Sequence, residues 1–360
     1  MKFGYLATMS YEGRIAHRAW PQPNDAYDPE LGRQAYEHGL AQAKHADDVG
    51  FDMVSVSEHH YTPGLMTPNP MVAAAALTQV VKRAEIFILG PVMPLNNPVR
   101  IAEELAMVDT LSGGRTRIFF VRGTPNEWFT YPTEVSETKG RTQEAALLVR
   151  DALTRKEPFS HEGEYYTFPR VSVWPGTVRQ PHPPMYFSGN SPDSLEFAAE
   201  HRFGIALGFG ANADLLVPRY RELCAASGWE PTPDHVLMRT FTSIADTDEE
   251  ARERLAGLLR GFGLGRNADP EVQRAAAQHR SVAQIENAEH APPHMDLSQS
   301  TICGSPDTVI EVIRQKNAAG VGTLDMAFAT GAQRHDTIIQ SLDRFAEEVL
   351  PKVQDLPPAW

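Results

Sequence analysis

The chain has 360 residues, of which 42% are hydrophobic and 22% charged, and a formal net charge of −13. That length suits one large α/β barrel with insertions and also accommodates two domains, and the composition is that of an ordinary globular protein. The acidic balance argues against nucleic acid as the main partner. No run nears the roughly 18 apolar residues that span a membrane, and Cys224 and Cys303, far apart and outside metal-ligand spacing, argue against a disulfide framework and for a reducing cytoplasm.

"KFGYLA" (2–7) is strand-like, and with no longer apolar run or cleavage site behind it the N-terminus reads as a first strand and not a signal peptide. A helical period runs through "ELGRQAYEHGLAQAKHADDVG" and stops at Gly50. "FDMVSVS" is the next strand. "NPMVAAAALTQVV" is an Ala-rich helix with Pro70 just inside its start, followed by the strand "EIFILG". "NPVRIAEELAMVDTLSGG" has Asn97 as N-cap and Gly113-Gly114 at its stop. "RTRIFFV" is a strand ending at Arg122, "GRTQEAALLVRDALT" a helix, "PMYFSG" a strand, "SPDSLEFAAEHRFG" a capped helix and "IALGFG" a short strand.

The rhythm continues with a helix from about Ala213, the strand "VLMRTFTSIA", the helix "DEEARERLAGLLRGF", a helix opened by Ser305-Pro306, the strand "VGTLDMAFA" and a final helix from about His335 to Leu350. Repeated strand-then-helix order implies a parallel sheet, and about eight such units favour a closed (β/α)8 barrel over an open sheet, one barrel domain spanning 1–360. Two stretches break the rhythm. Residues 155–183 are rich in Pro and aromatics and read as an insertion with a short hairpin. Residues 261–300 are polar and weakly periodic, a candidate mobile lid.

In a parallel barrel, active sites gather at the carboxyl ends of the strands. Glu58, His59 and His60 end the second strand, Gly90 and Pro91 the third, Arg122 the fourth, and Asn190 and Ser191 follow the fifth. Adjacent side chains on an extended segment point opposite ways, so one imidazole is expected at the mouth and the other packed or hydrogen-bonded. A structural His pair held by Glu58 is the plainer alternative. A metal site is disfavoured by the lack of His-x-His or His-Glu-x-x-His spacing.

In "YFSGNSPDSLEFAAE" the strand, glycine and helix start aim backbone N–H groups outward, with Ser191 and Ser194 hydroxyls beside them. This is an ordinary N-cap or, with a guanidinium from Arg122 nearby, an anion site; the two features together suggest a phosphorylated cofactor. Gly90-Pro91 is an X–Pro bond where a strand meets its loop, and X–Pro tolerates cis far better than other bonds. Trp128, Phe129 and Tyr131 line a pocket or pack on the surface. "GFGLGRN" follows a helix, so a dinucleotide loop is discounted.

The collinear run "GFDMVSVSEHHY…NPMVAAA", "PVMPLNNPVRIAEELAMVDTLSGGR", "VRG", "MYFSGNSPDSLEFAAE", "GSPDTVIEVI" and "FAEEVLP" resembles the bacterial luciferase family of flavin-dependent monooxygenases, its α chains above all. The resemblance spans nearly the whole chain. It implies a luciferase-like (β/α)8 barrel binding reduced flavin mononucleotide (FMNH2) at the carboxyl-end face, where O2 adds to give a peroxyflavin that oxygenates a substrate. It places the family's catalytic His on His59, its phosphate-gripping Arg on Arg122, its helix-start hydroxyls on Ser191 and Ser194, and its cis peptide beneath the ring on Gly90-Pro91; Glu58 belongs to the same motif. It also implies that residues 261–300 close over the flavin. Three departures stand out: Val121 replaces a reactive Cys, Asn190 replaces a Glu, and "TPNEWFTYP" differs from the family's substrate loop, so light emission is not implied. No NAD(P)H site is visible, which fits a separate flavin reductase. An F420-dependent oxidoreductase and a non-catalytic flavin-binding relative are the alternatives on the same fold. A homodimer is expected, with the small-residue helix Met71–Val81 packing on a partner or on its own barrel.

Overall fold

The computed structural model describes residues 1–13, 21–131, 133–262, 297–328 and 334–360. The greater part of the expected lid, 263–296, lies outside the described residues.

Eight parallel strands close a barrel: β1 (Lys2–Leu6), β2 (Met53–Ser57), β3 (Glu85–Val92), β4 (Thr116–Val121), β7 (Met185–Ser188), β8 (Gly204–Leu207), β9 (Val236–Ile244) and β11 (Thr323–Ala327), which pairs back onto β1 through Lys2↔Thr323. The insertion carries the antiparallel hairpin β5 (Phe159–Glu162) and β6 (Thr167–Val171). A short strand, β10 (Thr301–Gly304), lies along the upper half of β9 from Phe241 to Ile244; its four residues carry no readable period.

The crossovers are α1 (Pro29–Asp48), α2 (Pro70–Val80), α3 (Pro98–Ser112), α5 (Thr138–Thr154), α6 (Pro192–Glu200), α7 (Ala213–Ala226), α8 (Asp248–Phe262), α9 (Pro306–Ala318) and α10 (His335–Arg344), with a six-residue helix α4 (Pro125–Thr130) after β4. Their starts follow local chemistry. Asn69 accepts from Met71 N and Val72 N, and Asn97 from Val99 N and Arg100 N, with a proline just inside each helix. Gly113 stops α3 at φ 71°, in the left-handed region that favours glycine.

Burial divides by alternation along the strands. Leu6, Met53, Phe87, Leu89, Phe119, Tyr186, Leu237 and Phe241 fill the barrel interior, while Phe3, Val54, Ile86, Ile88, Ile118 and Phe187 face the helices. The floor, at the amino ends of the strands, is polar and closed. Arg117 Nε and Arg179 Nη1 each donate to Glu85 at 2.6 Å, Arg117 also donates to Tyr186 Oη, and Tyr186 donates to the Asp234 carbonyl at 2.6 Å. Above it, buried Asp325 accepts from Ser55 Oγ at 2.6 Å and lies 3.5 Å from Arg239 Nε. The opposite end, at the carboxyl ends of the strands, carries the candidate site residues at or just after the ends of β2, β3, β4 and β7.

Candidate active site at the barrel mouth

Strand β2 ends at Ser57, and the next three residues divide as extended backbone requires. Glu58 and His60 continue the helix-facing side of β2 and are buried; His59 turns to the mouth and is partly accessible. His60 Nε2 lies 3.1 Å from Glu58 Oε1, and Glu58 Oε2 accepts from Val92 N at 3.0 Å. Both oxygens of Glu58 are therefore engaged by the protein. Its place is a brace between the end of β2 and the backbone just beyond Gly90-Pro91, which is cis. At that point β3 slips its register against β4, Leu89 and Gly90 both opposing Phe119.

His59 has a different carboxylate. Its Nδ1 lies 3.0 Å from Oε1 of Glu127, on α4. The other oxygen, Oε2, accepts from Thr124 N at 2.9 Å and from the Thr124 hydroxyl, the capping box of α4. Burial raises the Glu127 pKa, but the hydrogen bond and charge of His59 and the two contacts from Thr124 more than offset it, and the result lies below the ordinary carboxylate value. An ionised Glu127 only accepts, so Nδ1 of His59 carries a proton, and in the neutral imidazole Nε2 presents a lone pair. Among the described residues nothing meets Nε2. Glu127 was missed in the sequence, although Thr124 and Glu127 three residues apart ahead of an aromatic pair carry the capping signature.

Arg122 follows β4. Its Nε donates to Thr138 Oγ1 at 2.8 Å, its guanidinium lies 4.7 Å from the Trp128 ring centroid, and Trp128 Nε1 donates to its carbonyl at 2.9 Å. Among the described residues it has no carboxylate partner, which leaves the outer edge of the fork for an anion. Trp128 thus serves to hold Arg122. The next strand in the barrel, β7, leads to Ser191, which caps α6: its Oγ accepts from Ser194 N at 3.3 Å and lies 2.8 Å from Ser194 Oγ. Neighbouring residues of α5 tie the two together, since Thr138 holds Arg122 and Lys139 pairs with Asp193 in the first turn of α6. Asn190 is spent on the loop, its Oδ1 accepting from Gly208 N at 2.9 Å. Among the described residues, the hydroxyl of Ser57 is buried at the carboxyl end of β2 without a partner, as is that of Thr67, whose carbonyl accepts from His59 N.

The mouth thus holds an oriented imidazole, a guanidinium without a counter-charge, a hydroxyl-lined helix start and an orphaned hydroxyl. That combination suits a barrel enzyme that binds an anionic group at its mouth. Residues 1–323 match the model of the luciferase-like monooxygenase family, and the chain belongs to that family.

Among curated relatives, it is 24% identical over 336 residues to the oxygenase component of a flavin-dependent trigonelline monooxygenase of Acinetobacter baylyi, covering 90% of this chain and 91% of that protein. It is 26% identical over 332 residues to the alkanal monooxygenase alpha chain of Photorhabdus luminescens, covering 86% and 89%. Among solved structures, the monooxygenase RslO1 of Streptomyces bottropensis superposes with a TM-score of 0.76 at 25% identity, over 98% of this chain and 99% of that one. Two more share the fold: the oxygenating constituent of 3,6-diketocamphane monooxygenase of Pseudomonas putida in complex with FMN (TM-score 0.72, 23% identity, 99% of each chain), and an F420-dependent secondary alcohol dehydrogenase (0.70, 20%, 98% and 99%).

Proposed function

We propose that this protein is the oxygenase of a two-component flavin monooxygenase, taking reduced FMN from a separate reductase and using O2 to oxygenate an organic substrate. The observation that carries the reading is the His59–Glu127 pair set at the same mouth as Arg122. The donor set fits the cofactor. Arg122 and the Ser191 and Ser194 hydroxyls suit the phosphate, and the orphaned Ser57 hydroxyl suits a polar edge of the ring. When bound, reduced flavin supplies the electrons with which O2 delivers one oxygen atom to the substrate and the other to water. His59 accepts or returns a proton at Nε2 while Glu127 fixes its tautomer and stabilises the charged imidazolium. Glu58 keeps the Gly90-Pro91-Val92 backbone in place beneath.

A homodimer belongs to the same proposal. Met71, Ala74, Leu77 and Thr78 of α2 pack on their own barrel, whereas Val72 on α2, Met107 and Leu111 on α3, and Trp174 and Val178 of the insertion leave an exposed apolar face. A second copy of the chain is the occupant this proposal assigns to it.

The test is anaerobic titration with reduced FMN and with reduced F420, each followed by mixing with O2. Tight FMN binding and oxygen consumption are expected. A preference for F420 with no oxygen uptake would replace oxygenation by hydride transfer on the same fold. FMN binding with no turnover on any substrate would leave a flavin carrier.

A further inference from the structure

A cleft of about 490 Å³ opens beside His59, within the roughly 300–1,000 Å³ usual for small-molecule sites. Four tyrosines line it: Tyr11 from the loop after β1, Tyr27 just ahead of α1, Tyr36 on α1 and Tyr61 directly after the Glu-His-His run. Three of them keep large exposed areas, Tyr27 at 49%, Tyr36 at 43% and Tyr61 at 51%. Most buried or half-buried tyrosines earn their place through the hydroxyl. Here the hydroxyls are turned away into the main chain. Tyr11 Oη donates to the Ala26 carbonyl at 3.2 Å and accepts from Asp28 N at 2.8 Å; Tyr36 Oη donates to the Met66 carbonyl at 2.8 Å; Tyr61 Oη donates to the Thr130 carbonyl at 3.3 Å.

Tyr27 is seated differently. Its ring stacks on Tyr11 (centroids 5.6 Å apart, planes 25° apart), and its Oη lies 1.9 Å from where a Cβ on Gly32 would stand. A side chain at 32 would push the Tyr27 tip aside. Tyr61 holds its position with φ at 53°, an uncommon conformation for a bulky residue. Tyr11, Tyr36 and Tyr61 are thus anchored by their tips, and Tyr27, Tyr36 and Tyr61 keep ring surface exposed, with Tyr11 buried against Tyr27.

The remaining lining sharpens the specificity. Pro63, Pro68, Leu65 and Met66 add apolar surface. Among the described lining residues there is neither Lys nor Arg, and the one carboxylate is Asp25, so these residues present no fixed cation to an anionic substrate. A flexible alkyl chain loses rotamer freedom on binding, whereas a flat ring does not and stacks on the exposed faces.

We propose that this tyrosine-walled cleft is the substrate site and selects a flat, ring-bearing organic molecule without negative charge, its reacting carbon delivered to the His59 end. The assignment rests on the function proposed above. The experiment measures equilibrium binding of 2-naphthol, 2-naphthoate and decanal to the full-length protein, with FMN binding measured in parallel. The expected result is 2-naphthol binding at least tenfold tighter than either of the others. Tyr27→Leu and Tyr61→Leu are expected to weaken it five- to tenfold, while Tyr27→Phe, which keeps the ring and removes no anchoring hydrogen bond among the described residues, weakens it by less than twofold, because the ring and not the hydroxyl forms the wall.

Decanal or 2-naphthoate binding as tightly as 2-naphthol in the wild-type protein would overturn the inference. So would Leu variants that fold and bind 2-naphthol unchanged. FMN binding without 2-naphthol binding overturns the cleft assignment alone and leaves the flavin function standing. Tight 2-naphthol binding without any flavin binding supports the ring-selective cleft and overturns the flavin function.

Discussion

Replacing Glu127 by Gln tests the His59 pair with the least change in shape. The carboxylate now accepts from three donors: His59 Nδ1, Thr124 N and the Thr124 hydroxyl. A glutamine keeps one acceptor oxygen. The two Thr124 donors claim it, so the new NH2 group faces His59. Two N–H groups cannot point at each other, and the imidazole must move its proton to Nε2. The lone pair at the mouth is lost. General-base assistance is worth about 10²–10⁴ in rate, or roughly 2.7–5.5 kcal/mol of barrier. The expected result is a fall of that size in the oxygenation rate with reduced FMN pre-bound. FMN affinity should stay within about twofold, because Glu127 touches neither Arg122 nor α6. Glu127→Asp should recover part of the rate, and the pH–rate profile should change shape in Glu127→Gln but not in a neighbour such as Tyr131→Phe. The assay is single-turnover mixing with O2, reading product and not oxygen uptake alone. A rate within threefold of wild type, or a loss that tracks flavin dissociation, would refute the assignment.

Arg122→Ala should weaken FMN binding about 10- to 100-fold, as loss of charge-assisted hydrogen bonds worth about 1.5–3 kcal/mol implies, and leave riboflavin affinity unchanged; equal losses for both ligands would place Arg122 away from the phosphate. Burial raises the Glu85 pKa, but Arg117 and Arg179 more than offset it and hold it below the ordinary value. Its stabilisation is thus complete above the unfolded pKa of about 4.3 and lost as pH falls through the lower folded value. Glu85→Gln should therefore cost about 1–3 kcal/mol in urea unfolding at pH 7 and progressively less below pH 4, and a pH-independent cost would contradict the floor network. Met107→Asp combined with Leu111→Asp should yield monomers in sedimentation velocity while each chain keeps its circular dichroism; an unchanged species would move the dimer face elsewhere.

The alternation of strand and helix, the caps at Asn97 and Ser305-Pro306, and the hairpin in 155–183 were legible because each is a local signal of period or turn chemistry. The division of His59 from His60 was legible for the same reason: residues one apart on extended backbone face opposite ways. The same rule assigns Glu58 to His60, two residues on, and not to His59. What it cannot supply is the partner of His59, which comes 68 residues later on a six-residue helix too short to show a period. The tyrosine cleft was illegible in the same sense. Tyr11, Tyr27, Tyr36 and Tyr61 stand in separate segments of the chain, and only the closure of the barrel brings them together. Strand β10 escaped because Thr301–Gly304 follows directly on the polar, weakly periodic stretch and is itself half polar.

The closed floor has a consequence for traffic. Arg117, Glu85, Arg179, Tyr186 and Asp234 seal one end of the barrel, and the aromatic interior fills the space above them. Whatever enters must therefore enter and leave by one door. On the proposed reading, with a flavin phosphate at Arg122 and a ring-bearing substrate among the rim tyrosines, cofactor and substrate share that door.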